Sequence, residues 1–190
     1  MNQNHDLCSS PEWAARLHSD VLPYLVRDVV LGDHMLEVGP GPGAATEWLR
    51  HRVEQLVVVE PDVEAAAKLD ATYARTNVRT VVADATEMDF PDASFDSVGS
   101  FTMLHHVPTV AQQNALLAEV LRVLRPGGVL IGSDSLPSDG LHRFHQDDTY
   151  NPLEPASFIV RLQTLGFERL TISVDRSLRF IAYRPGGHAG

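Results

Sequence analysis

The chain has 190 residues, of which 44% are hydrophobic and 21% charged, so it is long enough for one domain with a sizeable core. Its formal net charge of −10 argues against nucleic acid and against an anionic membrane surface, because both are bound through Lys and Arg. The single cysteine, Cys8, excludes an internal disulfide and indicates a reducing compartment. Residues 1–6 have no signal-peptide pattern and no apolar run reaches the length of a membrane span, so we expect a cytoplasmic protein without membrane partners.

Hydrophobic spacing predicts an N-terminal helical segment over residues 11–31, which Pro23 divides into two short helices. Strands and helices then alternate. The predicted strands lie at 35–38, 55–59, 78–83, 95–100 and 129–133, and the predicted helices at 44–52, 63–74 and 109–124. A last helix at 154–165 precedes two strands, 169–174 and 178–184, and their short connection indicates an antiparallel hairpin.

This alternation predicts an α/β fold with a doubly wound, mostly parallel, seven-stranded Rossmann-like sheet that ends in an antiparallel C-terminal hairpin. We expect a single domain over residues 1–185, with residues 1–31 as a helical cover and residues 186–190 as a flexible tail. Ligands of such folds bind at the carboxyl ends of the strands, so the residues that follow each strand are the informative ones.

The segment HMLEVGPGPG at residues 34–43 is a short strand that breaks into a glycine-proline turn before a helix. Gly39, Gly41 and Gly43 allow a sharp bend and a close approach of a ligand to the backbone. Glu37 precedes the turn, and a carboxylate there repels a diphosphate but suits a ligand with positive charge. The spacing of Gly39, Gly41 and Ala44 also satisfies the dinucleotide fingerprint, so the turn alone does not choose between ligands.

The next strand ends carry further polar residues. Glu60, followed by Pro61, is placed to accept two hydrogen bonds from a ribose diol, or it is an acidic residue at a helix start. Asp84, followed by Ala85, is placed to bind an exocyclic adenine amine, or it caps a turn. Phe101 follows the fourth strand and is expected to lie beside the glycine turn.

Taken in order, these motifs resemble the class I S-adenosylmethionine-dependent methyltransferases, in particular the branch that acts on small molecules. The resemblance covers about residues 30–135. It rests on the turn at 37–43, Glu60, Asp84-Ala85, Ser94-Phe95-Asp96, Leu104-His105-His106-Val107 and Leu124-Arg125-Pro126-Gly127-Gly128. The chain has no Asn-Pro-Pro-Tyr-type tetrapeptide after the fourth strand, so the resemblance does not extend to nucleic-acid amine methylators.

The resemblance implies S-adenosyl-L-methionine as the cofactor and a small-molecule acceptor that is methylated mainly through proximity and in-line orientation. The implied cofactor-binding residues are Glu37, Gly39, Gly41, Gly43, Glu60, Pro61, Asp84, Ala85 and Phe101. The glycines and Phe101 would border the methionine part, and Glu37 would help to accommodate its ammonium group. Glu60 would bind the ribose, and Asp84 with Ala85 the adenine.

The acceptor side carries weaker signals. Residues 135–151 are polar and lack periodicity, which predicts a substrate lid or, equally, a solvated surface loop. The candidate catalytic side chains are His106, His145 and Tyr150, although His106 also fits a structural role beside His105. The histidines and aspartates of the loop match no metal-site spacing, so we expect no metal.

Two other hypotheses remain open from the sequence. One is an NAD-dependent oxidoreductase of the Rossmann type that uses the same turn, with Glu60 on the ribose. The other is a cofactor-binding module without catalysis. Glu37, Asp84 and the turn at 124–128 favour the methyltransferase. We expect a monomer or homodimer, and the sequence does not identify the acceptor atom.

Overall fold

The structure is a computed structural model that describes residues 11–138 and 149–186. Over these residues, seven strands form one sheet in the order β3-β2-β1-β4-β5-β7-β6. The strands are β1 His34–Val38, β2 Gln55–Glu60, β3 Val78–Val82, β4 Phe95–Phe101, β5 Leu124–Asp134, β6 Glu168–Val174 and β7 Leu178–Tyr183. Strands β1 to β5 are parallel, and β7 runs antiparallel to both β5 and β6. The predicted mostly parallel sheet with a C-terminal hairpin is confirmed.

Helices cover both faces of the sheet. The helices are α1 Pro11–Arg16, α2 Leu22–Val26, α3 Ala44–Leu49, α4 Val63–Thr72, α5 Val110–Val123 and α6 Pro155–Leu165. A π-helical turn, Leu17–Val21, joins α1 to α2, and a 3₁₀ turn, Leu104–His106, follows β4. Three helices begin at a side chain that accepts a backbone N–H, namely Asp62 for α4, Thr109 for α5 and Glu154 for α6.

The N-terminal segment differs from its prediction in two ways. Helical structure ends at Val26 rather than at residue 31, and Pro23 does not divide the segment. Pro23 lies in the first turn of α2, directly after the π-helical turn. The π-helical turn widens the helix directly before Pro23, which leaves room for the proline ring and accommodates its missing N–H. The chain therefore stays helical from residue 11 to residue 26.

Two apolar cores, one on each face, hold the layers together. One core joins the sheet to α5 and α6 and includes Leu117 and Phe158, while the other joins it to α3 and the N-terminal helices and includes Leu17 and Leu25. Strand β2 is buried on both faces, which explains its continuous apolar sequence. The arrangement leaves the carboxyl ends of β1 to β5 along one edge of the sheet.

An ion pair ties the N-terminal segment to β7. Arg179 Nη2 donates to Asp20 Oδ2 at 2.6 Å, and the Arg179 side chain is only 7% exposed. We expect Asp20→Ala to lower the free energy of unfolding by about 1–3 kcal/mol, because it leaves a buried guanidinium without this acceptor. Urea unfolding checks this. Asp28→Ala is the matched control, since the Arg27–Asp28 pair is well exposed and such pairs contribute little. Equal losses in the two variants would contradict the prediction.

Candidate functional site

A cavity of about 750 Å³ opens at the carboxyl ends of the strands. The glycine turn, the ends of β2, β3 and β4, one side of α4 and two side chains of the N-terminal segment line it. Eight of the predicted cofactor-binding residues line this one cavity: Glu37, Gly39, Gly41, Glu60, Pro61, Asp84, Ala85 and Phe101. Gly43 is not among the described residues that line it. Residues far apart in the sequence therefore meet where the topology brings the strand ends together.

The three glycines of the turn meet three different requirements. Gly39 has a φ of +64°, and a Cβ atom there would lie 2.2 Å from Met103 Cγ. A Cβ on Gly41 would have no heavy atom within 4 Å, because this residue faces the open cavity. Gly43 lies behind the turn, where its carbonyl accepts a hydrogen bond of 2.9 Å from the Tyr73 hydroxyl. The turn is thus packed on one side and open toward the cavity on the other.

Glu37 places a buried carboxyl group beneath the turn. The residue is 1% exposed, and Thr46 Oγ1 donates to Glu37 Oε2 at 2.6 Å. Burial raises the pKa of Glu37 from its ordinary value of 4.5 to about 7, although the hydrogen bond from Thr46 opposes this shift. The carboxyl group is therefore close to the balance between its neutral and charged forms, and a cationic ligand in the cavity would favour the charged form.

This raised pKa makes the stability of the ligand-free protein pH-dependent. Between pH 4.5 and about 7, folded Glu37 keeps a proton that the unfolded chain has released, so the free energy of unfolding falls as pH rises. Protonated Glu37 contributes at most about 3 kcal/mol to the free energy of unfolding. This contribution is complete below pH 4.5 and is lost above about pH 7. Glu37→Gln has no ionisable group and should lose this part of the pH dependence. Urea unfolding at pH 5 and pH 8 checks it, and an equal pH dependence in both proteins would contradict it.

Glu60 and Asp84 occupy neighbouring strand ends. Glu60 closes β2, and its Oε1 accepts the Asp62 N–H at 3.1 Å. Asp84 Oδ1 accepts the backbone N–H and the hydroxyl of Thr86, both at 2.8 Å. Each carboxylate therefore has the local turn contacts that the sequence left open as an alternative. Both also line the cavity, so these contacts orient the carboxylates and do not remove them from it.

The far side of the cavity is mostly apolar. Met103, Val107 and Leu116 line it together with His106, whose 3₁₀ turn directly follows β4. Trp13 from the N-terminal helix also lines the cavity. Among the predicted catalytic side chains, only His106 reaches the cavity in the described chain. His145 lies outside the described residues, as does most of the predicted lid, of which residues 139–148 are not described.

A buried polar pair lies directly behind His106. His105 Nδ1 and Asp134 Oδ1 are 2.6 Å apart, and both side chains are 1% exposed. The Tyr150 ring packs edge-on against His105 at 5.9 Å between ring centroids, and burial raises the pKa of the Tyr150 hydroxyl. Tyr150 is thus near the cavity without being among the described residues that line it. Asp134 is not among the residues that the sequence predicts for the site, although it ends β5 in the same way as Glu60 ends β2 and Asp84 follows β3.

Residues 36–132, half of the chain, match the methyltransferase domain family. A probable S-adenosylmethionine-dependent methyltransferase from Mycolicibacterium smegmatis is 31% identical over 142 residues, which are 72% of this chain and 52% of that protein. The 27-O-demethylrifamycin SV methyltransferase from Amycolatopsis mediterranei is 37% identical over 112 residues, which are 55% of this chain and 39% of that protein. The chain spans about half the length of the curated relatives it matches.

The solved structures show the same fold. The crystal structure of the PH0226 protein from Pyrococcus horikoshii OT3 matches with a TM-score of 0.79 at 19% identity, covering 97% of this chain and 99% of that one. None of the helices in the described part of the chain is long and apolar enough to cross a membrane.

The domain match over residues 36–132 includes the glycine turn, Glu60, Asp84 and His106. The chain belongs to the class I S-adenosylmethionine-dependent methyltransferases.

Proposed function

We propose that the protein transfers a methyl group from S-adenosylmethionine to a small-molecule acceptor in the cavity described above. One observation carries the proposal: the residues of the glycine turn, Glu60 and Asp84 line the same cavity as His106 and an apolar wall. Its volume of about 750 Å³ lies within the range of roughly 300–1,000 Å³ that is typical of small-molecule sites.

The residues present fit the cofactor. The buried Glu37 carboxyl suits a ligand with an ammonium group, and Gly39 and Gly41 leave the backbone accessible to its methionine part. Glu60 would accept hydrogen bonds from the ribose hydroxyls, and Asp84 one from the adenine amine. A dinucleotide would instead bring a diphosphate close to Glu37, which disfavours the oxidoreductase hypothesis. When bound, the sulfonium cofactor supplies both the methyl group and its leaving group.

The chain's own task is then to hold the acceptor in line and to exclude water. Met103, Val107 and Leu116 provide an apolar surface for this purpose, and His106 is a polar side chain beside them that can contact the acceptor. The relative from Amycolatopsis mediterranei is named for a small-molecule substrate, which supports this acceptor class. The net charge of −10 gives no support to a nucleic-acid acceptor.

The test is methyl transfer from isotopically labelled cofactor. The protein is incubated with a panel of phenols, alcohols, amines and carbon acids and, separately, with an RNA transcript and a protein mixture. Mass spectrometry should find the label in small-molecule products and none in RNA or protein. Labelled RNA or protein without any labelled small molecule would overturn the proposal.

A further inference from the structure

The buried His105–Asp134 pair is not explained by cofactor binding. It joins the 3₁₀ turn after β4 to the last residue of β5, at the edge of the sheet that carries the cavity. Asp134 Oδ1 also accepts the Ser135 N–H at 2.7 Å, while Asp134 Oδ2 is buried with no hydrogen-bond partner among the described residues. A buried carboxylate that is only partly satisfied costs stability, so a purely structural crosslink is an unfavourable use of these residues.

The hydrogen bond fixes the state of the His105 ring. Because Asp134 accepts at Nδ1, a neutral His105 carries its proton on that nitrogen, and the ring cannot turn over without losing the bond. A separation of 2.6 Å is that of a strong, charge-assisted hydrogen bond. The pair therefore holds the imidazole of His105 in one orientation against the Asp134 carboxyl group.

The fixed ring in turn supports the ring that lines the cavity. The centroids of His105 and His106 are 4.1 Å apart, with the rings tilted by 39°. Tyr150 packs against His105 as well. His106 thus lies between a rigid imidazole and the cavity. Asp134 therefore acts on His106 through the ring of His105 that it holds.

We propose that Asp134 and His105 are positioning residues that hold His106 as the proton acceptor for a hydroxyl group, and hence that the acceptor is a phenol or alcohol. This rests on the proposed function. In the step, the acceptor oxygen gives its proton to a His106 ring nitrogen and forms a bond to the methyl carbon. The sulfur–methyl bond breaks, and its electron pair stays on sulfur. A neutral amine attacks without losing a proton first, so it would gain little from this arrangement.

The experiment compares two aspartate-to-asparagine variants with the wild-type protein. Asp134→Asn keeps the size and hydrogen-bonding capacity of the side chain and removes its charge. Asp96→Asn is the matched control, since Asp96 also accepts two backbone N–H groups, from Asp33 and His34, and pairs with Arg125 at the opposite end of the neighbouring strand β4. Both variants are expected to lower the melting temperature. S-adenosylhomocysteine should bind both with the wild-type affinity.

Turnover should separate the two variants. With the hydroxyl compounds of the panel, Asp134→Asn should lower kcat by about 10- to 100-fold with little change in KM, whereas Asp96→Asn should keep the wild-type kcat. The loss should be smaller for 4-nitrophenol, which is largely ionised at the assay pH, than for 4-methylphenol, which is not. His106→Ala should be inactive and should regain part of its activity when free imidazole is added.

The outcomes distinguish this inference from the proposed function. Equal kcat values in Asp134→Asn and Asp96→Asn would overturn the inference and leave the methyltransferase function intact. Transfer to amines or carbon acids but to no hydroxyl compound would overturn it too. If the protein does not bind S-adenosylhomocysteine, or if it methylates no small molecule of the panel, the proposed function is contradicted instead.

Discussion

Gly39→Ala is expected to weaken the binding of S-adenosylhomocysteine by about 100-fold, which corresponds to about 2.7 kcal/mol. The alanine Cβ would lie 2.2 Å from Met103 Cγ and 3.1 Å from Met103 Cβ, so either the turn or Met103 must move. Met103 lines the cavity, so either movement changes the site. The left-handed backbone at Gly39 adds a cost of roughly 1–2 kcal/mol for any residue with a Cβ.

Isothermal titration calorimetry measures this effect, and Gly127→Ala is the matched control. Gly127 also has a left-handed backbone, with a φ of +78°, but a Cβ there would meet no heavy atom within 4 Å. It lies in the irregular stretch of β5 between Leu124 and Val129, at the opposite end of the strands from the cavity. The control should lose a little stability and keep its affinity. Wild-type affinity in Gly39→Ala would show that the packing of the turn does not define the cofactor site.

Glu60→Ala should have an effect of similar size on the same measurement. We assign to Glu60 two hydrogen bonds to the ribose, and a hydrogen bond to a charged group contributes roughly 1.5–3 kcal/mol. The expected loss is therefore at least about 3 kcal/mol, more than a hundredfold in affinity. The fold should survive, because the hydrogen bond that the Glu60 carboxylate accepts from the Asp62 N–H is a local contact at the start of α4.

Glu54→Ala controls for the loss of an acidic residue. Glu54 is exposed and precedes the same strand, β2, at its other end. Its removal changes the net charge by the same amount as Glu60→Ala but leaves the cavity untouched. If both variants bind S-adenosylhomocysteine like the wild-type protein, Glu60 is only an acidic residue at the start of α4.

The sequence predicts much of the fold because the signals are local. The β-branched run at 55–59 and the glycine turn indicate a buried parallel strand and a ligand-binding connection without reference to the rest of the chain. Glu60 and Asp84 could be assigned to one site because parallel strands place their carboxyl ends at one edge. For these residues, the strand order did not have to be known.

The features that the sequence does not predict depend on contacts between distant residues. Asp134 faces His105 across 29 positions, and nothing near either residue indicates the pairing. Gly43 follows the same repeat as Gly39 and Gly41, but it packs against Tyr73 at the C-terminal end of α4 and does not line the cavity in the described structure. Pro23 predicts an interruption of the helix, because the sequence does not show the π-helical turn that accommodates it.

A thermal-shift titration shows whether the cavity beside the glycine turn binds S-adenosylmethionine. At 100 times its dissociation constant, S-adenosylhomocysteine should stabilise the folded protein by about 2.7 kcal/mol. For a domain of this size, that is a rise in melting temperature of roughly 5–10 °C. NAD should cause no rise, and Glu60→Ala should lose the response to S-adenosylhomocysteine. A rise with NAD and none with S-adenosylhomocysteine would contradict the account.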